Sequence, residues 1–388
     1  MKYDFDTVIN RKGTCCFKYD GLKEVYGRDD LIPLWIADMD FQVAPQIIAA
    51  MQQRLNHRIF GYNQRLPIYY ETVINWAKKH YGYEPQENWI MTSPGIMPAI
   101  NLAVLQLTEP GDGVLIQTPV YQPFFTAVTA HNRKLVTNPL IPENGHYEID
   151  FVDFEKKLKE VKLFILCSPH NPVGRRWTEA ELFKMGTLCR QYKVPIISDE
   201  IHSDLVYDGE GSLSIAALEG MLDNLIVCFS PAKSFNLAGL ATSIIIAKNP
   251  ELRLPLNTML ENLHLYMGNT FGIIALTAAY GQSEDWLEEL LIYLQGNRDF
   301  LIQYIQSEIP QLKVNYPEAT YLAWINFSNL GLSDEEVQKL LIEKAGLALE
   351  PGIKYGQEGS GYQRLNFGCP RKTLSIALER MKKVIKEL

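Results

Sequence analysis

A single lysine, Lys233, lies in a stretch that reads VCFSPAKSFNLAGLAT over residues 227–242. Its neighbours are small or apolar, and the next charged residue toward the C-terminus is Lys248. Burial disfavours a charged ammonium and lowers the pKa of the amine, which makes the amine a better nucleophile. The stretch therefore has two interpretations: an ordinary loop lysine that reaches solvent, or a lysine whose amine does covalent chemistry.

Polar residues follow four apolar runs of the sequence. In an open α/β sheet, ligands bind beyond the carboxyl ends of the strands. One polar strand end is commonly a turn former or a helix cap, but four at the same sheet edge indicate a shared site. Asp199 and Asn171 belong to this set together with Lys233. The four stretches are TPVYQPF (118–124), SPHNPVGR (168–175), SDEIH (198–202) and SPAKSFN (230–236).

A carboxylate and an amine that face one ligand suit a cofactor with a basic ring nitrogen and an aldehyde. Pyridoxal 5′-phosphate has both, and its usual protein partners are a lysine at the aldehyde and an acid at the ring nitrogen. Its phosphate needs an anion site. The stretch TSPGIMPAI (92–100) places Gly95 ahead of an apolar segment that can begin a helix, which is a natural anion site, although a glycine alone indicates little.

Alternating strands and helices must position these residues. Thr178 and Glu181 have the spacing of a capping box and predict a helix over 178–193. Apolar runs joined by helices indicate a largely parallel sheet that is covered on both faces, and hence an α/β fold. Strands are predicted within 112–119, 162–169, 194–201, 224–231 and 242–248.

The pattern changes near residue 284, where a long amphipathic segment begins. It is followed by strand-like stretches, a second capping box from Ser333 to Glu336, and a final helix. We therefore expect a large domain over 46–283. Residues 1–45 and 284–388 are expected to form a smaller α+β domain, with the substrate cleft between the two domains.

Composition narrows the functional class. The 388 residues are 47% hydrophobic and 21% charged with a net charge of −8, which is typical of a soluble globular protein and disfavours a nucleic-acid surface. The N-terminal MKYDFDTVIN lacks the apolar region of a signal peptide, and no stretch has the composition of a membrane span. The six cysteines are scattered, so a cytoplasmic protein without a metal or disulfide framework is expected.

Over nearly its full length the chain resembles the fold-type I pyridoxal-phosphate enzymes of the aminotransferase class I/II superfamily. SPHNPVGR, SDEIH and SPAKSFN are motifs of that superfamily and occur here in its order and at its spacing. More narrowly, four stretches are similar to the MalY/PatB-type cystathionine β-lyases, also called cysteine-S-conjugate β-lyases. They are LWIADMDF (34–41), FGYNQ (60–64), DEIHSDLVYDG (199–209) and RLNFGCPR (364–371).

The resemblance implies a role for each matching residue. Lys233 is expected to bond to the cofactor aldehyde, and Asp199 to keep the ring nitrogen protonated. Arg364 is expected to clamp the substrate carboxylate, although it could also be an ordinary surface arginine. The implied catalytic residues are Lys233, Tyr121 and Tyr62; the cofactor-binding residues are Gly95, Ile96, Met97, Tyr121, Asn171, Asp199, His202, Ser230, Lys233 and Tyr62; the substrate-binding residues are Arg364, Trp35, Ile36 and Asn171.

Tyr62 carries a further implication. By resemblance it reaches the cofactor phosphate of the neighbouring subunit, so a homodimer with shared active sites is implied. Tyr121 is expected to stack on the cofactor ring, although it could also be an ordinary core tyrosine.

Two positions depart from the common aminotransferase pattern. His202 replaces the tyrosine that often follows the aspartate by three residues, and Ala241 replaces a phosphate-binding arginine. These departures disfavour a typical aminotransferase without excluding one. The resemblance to the MalY/PatB-type lyases implies β-elimination from L-cystathionine, L-cysteine, L-cystine or related S-conjugates, giving a thiol, pyruvate and ammonia. An aminotransferase of the same fold and a regulatory protein that binds pyridoxal phosphate remain as alternatives.

Overall fold

The computed structural model describes residues 1–143 and 145–388. The helices are α1 Phe17–Asp20, α2 Leu22–Tyr26, α3 Pro45–Asn56, α4 Pro67–Trp76, α5 Ile96–Leu107, α6 Pro123–Thr129, α7 Phe151–Leu158, α8 Glu179–Gln191, α9 Pro231–Ser234, α10 Pro250–Asn262, α11 Thr270–Gln282, α12 Glu284–Glu308, α13 Asp334–Lys339 and α14 Arg371–Lys386. The strands are β1 Ile32–Pro33, β2 Ile90–Ser93, β3 Gly113–Ile116, β4 Lys134–Thr137, β5 Ile141–Glu143, β6 His146–Glu148, β7 Val161–Cys167, β8 Ile196–Asp199, β9 Leu225–Phe229, β10 Ser243–Ile246, β11 Lys313–Val314, β12 Leu322–Asn326, β13 Leu347–Ala348, β14 Glu350–Pro351 and β15 Tyr362–Asn366.

The main sheet has the order β2-β10-β9-β8-β7-β3-β4. All neighbours from β9 to β4 pair in parallel, whereas β10 is antiparallel to both β9 and β2. The prediction of an α/β fold with a largely parallel sheet is therefore confirmed, and the strand predicted within 242–248 is present but runs in the opposite direction.

Both faces of the main sheet are covered. Successive side chains of a strand point to opposite faces, and β7 shows this directly. Phe164 and Leu166 belong to one hydrophobic core, while Leu163 and Ile165 belong to another on the other face. Every residue of β8, β9 and β10 is buried, which explains why their sequences are almost continuously apolar.

A second, antiparallel sheet has the order β11-β12-β15-β14. The N-terminal segment joins this part of the chain because β1 pairs in parallel with β13, with Ile32 opposite Leu347. The C-terminal helix α14 packs on the long helix α12. The N-terminal segment thus contacts the C-terminal part through this strand pair, while the division into domains at residues 46 and 284 remains a prediction.

The two capping boxes predicted from the sequence are present at helix starts. Thr178 and Glu181 form a complete capping box at the start of α8, and Ser333 and Glu336 form another at the start of α13. In each box the hydroxyl accepts from the third backbone amide of the helix while the glutamate accepts from the amide of the cap residue.

Among the helices of the described residues, none is both long and apolar enough to cross a membrane.

Candidate active site

A cavity of about 520 Å³ opens beyond the carboxyl ends of the central parallel strands. This is where ligands bind in open α/β sheets. It collects every residue of the predicted site except Tyr62. The predicted residues that line it are Trp35, Ile36, Gly95, Ile96, Met97, Tyr121, Asn171, Asp199, His202, Ser230, Lys233 and Arg364.

Lys233 lies on the short helix α9, directly after strand β9. Its Nζ donates to the carbonyl oxygen of Ala37 at 2.6 Å. Burial, and to a smaller extent the positive charge of Arg364, lowers the pKa of Lys233 to about 8, although the carboxylate of Asp38 opposes this change. A substantial fraction of the amine is therefore uncharged slightly above neutral pH, as a nucleophile or base requires.

Asp199 ends strand β8 and is only 4% exposed. Its flanking partners in the sheet are Cys167 on β7 and Cys228 on β9, which give the carboxylate an apolar setting. Burial raises the pKa of Asp199 to about 7, and the backbone amide of Ile201 donates to its Oδ1 at 3.1 Å. A carboxylate in such a place is stabilised by a cationic N–H facing it.

The N-terminus of α5 lines the cavity and has the features of an anion site. Gly95 is the cap residue and supplies no side chain to the first turn, so no side chain caps the backbone amides of Ile96 and Met97. Ser230 lies nearby, but its Oγ donates to the carbonyl of Thr242 at 2.7 Å and accepts from an amide of α9. Since Ala241 lines the same cavity without a charge, the helix amides are the main groups that could hold an anion here.

Arg364 lies on β15 and is 4% exposed, so the interpretation as a surface arginine is wrong. Its Nη1 donates to Oδ1 of Asn171 at 3.2 Å, and its Nη2 donates to the carbonyl of Trp35. The guanidinium lies over the ring of Tyr355, 5.2 Å from the ring centre. Its Nε has no partner among the described residues, and each Nη makes one of its two possible hydrogen bonds, so the guanidinium can still donate to a carboxylate.

His202 and Tyr121 are held neutral. Burial lowers the pKa of His202 well below its ordinary value, and the charges of Lys233 and Arg364 add to this effect. Burial also raises the pKa of Tyr121, with a further contribution from the carboxylate of Asp199. The phenol therefore retains its proton at neutral pH, and it can donate a hydrogen bond but does not act as a base.

The segment LWIADMDF is built into the site more deeply than the sequence indicated. Its Ala37 carbonyl accepts from Tyr321 at 2.9 Å as well as from Lys233. Asn236, just after α9, makes two hydrogen bonds to the backbone of Met39. Its Oδ1 accepts from the Met39 amide at 3.0 Å, and its Nδ2 donates to the Met39 carbonyl at 2.9 Å. Asn366 on β15 donates to two further carbonyls of the segment at 2.6 Å.

A buried ion cluster supports the same segment. Lys18 is 1% exposed, and its Nζ lies 2.9 Å from Asp40 and 3.4 Å from Asp38. Arg11 contacts the same two carboxylates at 2.7 and 3.0 Å. These residues were not identified from the sequence, although the two acidic residues of ADMDF were a visible signal. Other lining residues that were missed are Phe17, Glu350, Lys354 and Tyr355.

Tyr62 lies outside this cavity and is 95% exposed. It belongs to a segment over 57–66 that contains neither helix nor strand. Within one chain the structure does not bring Tyr62 to the other predicted residues, and its predicted role depends on a second subunit.

The chemistry of the cavity fits pyridoxal 5′-phosphate. Asp199 offers a buried carboxylate to a protonated ring nitrogen, Lys233 offers an amine of lowered pKa, and the start of α5 offers uncapped amides to a phosphate. The Nδ1 of His202 is buried without a partner among the described residues, as is the Nε of Arg364. Such orphaned polar atoms are expected where a ligand completes the hydrogen bonds.

Comparison with known proteins agrees with this chemistry. Residues 29–381 match the family model for aminotransferase class I and II. The chain is 41% identical to cystathionine β-lyase PatB of Bacillus subtilis, over 98% of this chain and 99% of PatB. It is 34% identical to protein MalY of Escherichia coli, over 96% of each chain.

The fold has solved relatives as well. The crystal structure of cystalysin from Treponema denticola, which contains a pyridoxal 5′-phosphate cofactor, superposes with a TM-score of 0.96. The two chains are 34% identical, and each is covered over 100% of its length. Family model, sequence relatives and fold agree, and the chain belongs to the aminotransferase class I and II family of pyridoxal-phosphate enzymes.

Proposed function

We propose that this protein is a pyridoxal-phosphate-dependent carbon–sulfur lyase. Its substrates are L-cystathionine, L-cysteine, L-cystine or related S-conjugates. The reaction consumes one water, and its products are a thiol (hydrogen sulfide from L-cysteine), pyruvate and ammonia. The observation that carries the proposal is the convergence of Lys233, Asp199 and Arg364 in one cavity. The 41% identity to a cystathionine β-lyase and the fold of cystalysin support a lyase over an aminotransferase.

When bound, pyridoxal 5′-phosphate supplies an electron sink that stabilises negative charge at the substrate Cα. Asp199 holds a proton on the ring nitrogen, because its buried carboxylate is stabilised by a cation beside it. Lys233 removes the proton from the substrate Cα, for which its lowered pKa suits it. Asn171 and Tyr121 position the ring.

Arg364 holds the substrate carboxylate in this proposal. The guanidinium is already fixed by Asn171 and the carbonyl of Trp35, so its orientation is set before substrate arrives. Trp35 and Ile36 border the substrate side chain. Lys233 or a tyrosine such as Tyr121 donates a proton to the departing thiolate sulfur. Lys233 carries the proton that it has removed from Cα, and the raised pKa of Tyr121 keeps its phenol protonated.

The test combines a chemical label with product analysis. Borohydride reduction of the wild-type protein should trap the cofactor on Lys233, as read by peptide mapping. Lys233→Ala should lose the near-visible absorbance and essentially all activity, whereas Lys248→Ala, at a lysine paired with Asp223, should retain both. A label on another lysine would refute the site assignment.

The reaction type needs its own measurement. A lyase forms pyruvate from cystathionine without an added keto acid, whereas an aminotransferase requires one. Strict dependence on a keto acid would therefore favour the aminotransferase. A partner protein captured equally well by Lys233→Ala would favour the regulatory alternative.

The proposal includes a homodimer with shared sites. Besides Tyr62, a face formed by α3, residues 57–66 and the start of α4 exposes apolar side chains, which is unusual for a free monomer surface. A second copy of the chain on this face covers them and brings its own Tyr62 toward the phosphate site. The exposed apolar residues of this face are Ile48, Leu55, Ile59, Phe60, Leu66 and Ile68.

Subunit complementation tests the shared site. Tyr62→Ala and Lys233→Ala should each be impaired, because each dimer has two damaged sites. A mixture refolded together should recover up to about a quarter of the wild-type activity, because each hybrid dimer contains one intact site. No recovery in a mixture whose hybrid dimers are demonstrated would contradict the role of Tyr62.

The proposed location is the cytoplasm, where thiols remain reduced. All six cysteines are free, four of them buried. Fractionation of cells that produce the protein tests this location.

A further inference from the structure

An ion pair lies in the cavity wall beside the carboxylate clamp. Glu350 on β14 pairs across the antiparallel ladder with Arg364 on β15, so the two side chains lie on the same face of the small sheet. Lys354 follows in the next turn, and its Nζ lies 2.7 Å from Oε1 of Glu350. Both residues of the pair line the same cavity as Arg364.

The backbone that carries this pair is fixed. Gly352 packs so tightly against Gly359 that a Cβ on Gly352 would come within 2.2 Å of the Gly359 carbonyl. At the other end, the carbonyl of Tyr355 accepts from the amide of Val120 at 2.9 Å, which joins the segment to the loop of Tyr121. The ion pair therefore has a set position relative to the clamp.

The side chains of this pair form a salt bridge with each other. Among the described residues, each of Glu350 and Lys354 has only the other as a salt-bridge partner. The side chain of Glu350 is 14% exposed and that of Lys354 is 46% exposed, and both residues line the cavity. Because Lys354 is about half exposed, solvent screens the pair and its contribution to folding stability is small, so stability gives no strong reason for two charges here.

The pair matches the remote end of a dipolar substrate. Cystathionine and cystine have a second ammonium and a second carboxylate beyond the sulfur, whereas S-alkyl cysteines do not. A carboxylate and an ammonium side by side can bind such a group by two charge-assisted hydrogen bonds, one of each sign. Phe17, Trp35 and Ile36 supply the apolar lining that the intervening methylene groups need.

We propose that Glu350 and Lys354 form a subsite for the remote amino-acid group of dipolar S-conjugates. Glu350 receives the remote ammonium, Lys354 receives the remote carboxylate, and Arg364 retains the α-carboxylate at the reacting end. This inference rests on the proposed lyase function. It makes the enzyme selective for substrates with an amino acid at both ends of the thioether or disulfide.

The test compares two substrates on the same variants of the holoenzyme. Lys354→Met should lower kcat/KM for L-cystathionine about tenfold but change kcat/KM for S-ethyl-L-cysteine by less than about twofold. Glu350→Gln, which keeps the shape of the side chain, should show the same selectivity. The matched control is Lys157→Met, at another lysine in an i,i+4 pair, whose Nζ lies 3.9 Å from Asp153 on α7.

The outcomes separate the two proposals. An equal loss on both substrates, or no loss on either, overturns the subsite and assigns the ion pair to structure alone. A wild-type holoenzyme that forms pyruvate from S-ethyl-L-cysteine but not from cystathionine also overturns it. Failure of the wild-type holoenzyme to form pyruvate from any sulfur amino acid instead overturns the lyase function itself.

Discussion

The replacement Arg364→Lys keeps the positive charge of the proposed carboxylate clamp but removes the planar set of N–H donors of the guanidinium. In the wild type, Nη1 and Nη2 are held by Asn171 and by the carbonyl of Trp35, and Nε is left without a partner among the described residues. A lysine ammonium cannot satisfy these two anchors and a substrate carboxylate in the same planar arrangement. The substitution therefore tests geometry rather than charge.

The size of the effect follows from the hydrogen bonds that lysine cannot make to the substrate carboxylate. One charge-assisted hydrogen bond left unmade costs about 1.5–3 kcal/mol in a buried site, and Arg364 is only 4% exposed. Because about 1.4 kcal/mol corresponds to a factor of ten, kcat/KM should fall about ten- to a hundredfold. The loss should be the same for cystathionine, cysteine, cystine and S-ethyl-L-cysteine, since all share the α-carboxylate.

The assay measures pyruvate formation at several substrate concentrations, with the cofactor spectrum recorded in parallel. Arg371→Lys is the matched control, because Arg371 also bonds an asparagine side chain, Asn297 at 2.7 Å, and lies 4.6 Å from the ring centre of Phe300. It should retain wild-type kinetics. A loss on one substrate only would place Arg364 at the side-chain end of the pocket, and unchanged kinetics on all four would refute the clamp.

Three further predictions concern the carboxylate of Asp199, the pKa of Lys233 and the buried ion cluster around Lys18. Asp199→Asn should still bind pyridoxal phosphate but form pyruvate at least about a hundredfold more slowly, as absorbance and kcat would show; near-normal rates would exclude the assigned role. Burial lowers the pKa of Lys233 from 10.5 to about 8, so the unfolded chain binds one proton more between these values. In the cofactor-free protein, Lys233→Met should have a higher free energy of unfolding than the wild type. This difference should be constant below pH 8 and become smaller as the pH rises toward 10.5. Urea unfolding across this pH range measures the difference, and a difference that stays constant up to pH 10.5 would contradict the lowered pKa. Lys18→Met leaves Asp40 buried with a single cation and should lower the free energy of unfolding by about 3 kcal/mol. Lys2→Met, which removes an exposed ion pair with Asp285, should change the free energy of unfolding little. Similar losses in the two variants would show that the buried cluster does not stabilise the fold more than an exposed ion pair does.

The sequence allowed the main sheet and most of the candidate site to be predicted for a physical reason. Strands covered on both faces must be almost continuously apolar, so their ends are easy to recognise, and the residues that follow them meet at one sheet edge. Lys233, Asp199 and Asn171 were found in this way. The direction of β10 could not be predicted, because a buried strand has the same apolar pattern whichever way it runs.

Other parts of the site leave little trace in the sequence. The acceptor of Lys233 is the backbone carbonyl of Ala37, and a carbonyl is present at every residue. Lys18 precedes its partner Asp40 by 22 residues, in a stretch with few helix signals, so nothing local indicated that it is buried. Glu350 and Lys354 flank a glycine in an irregular segment, and their common position becomes visible only when β14 pairs with β15.

The pairing of β1 with β13 has a consequence for the order in which the protein can be made. The N-terminal segment is synthesised first, yet Trp35 contacts Arg364, a residue 329 positions later, and Ile36 contacts Asn366. The contacts that Trp35 and Ile36 make with β15 therefore form only after residues 362–366 have been synthesised, whereas Ala37 and Met39 can meet Lys233 and Asn236 earlier. A truncated chain that ends before β15 contains Lys233 and Asp199 but lacks Arg364, the proposed carboxylate clamp. We therefore expect such a fragment to orient a substrate poorly, even if it binds the cofactor.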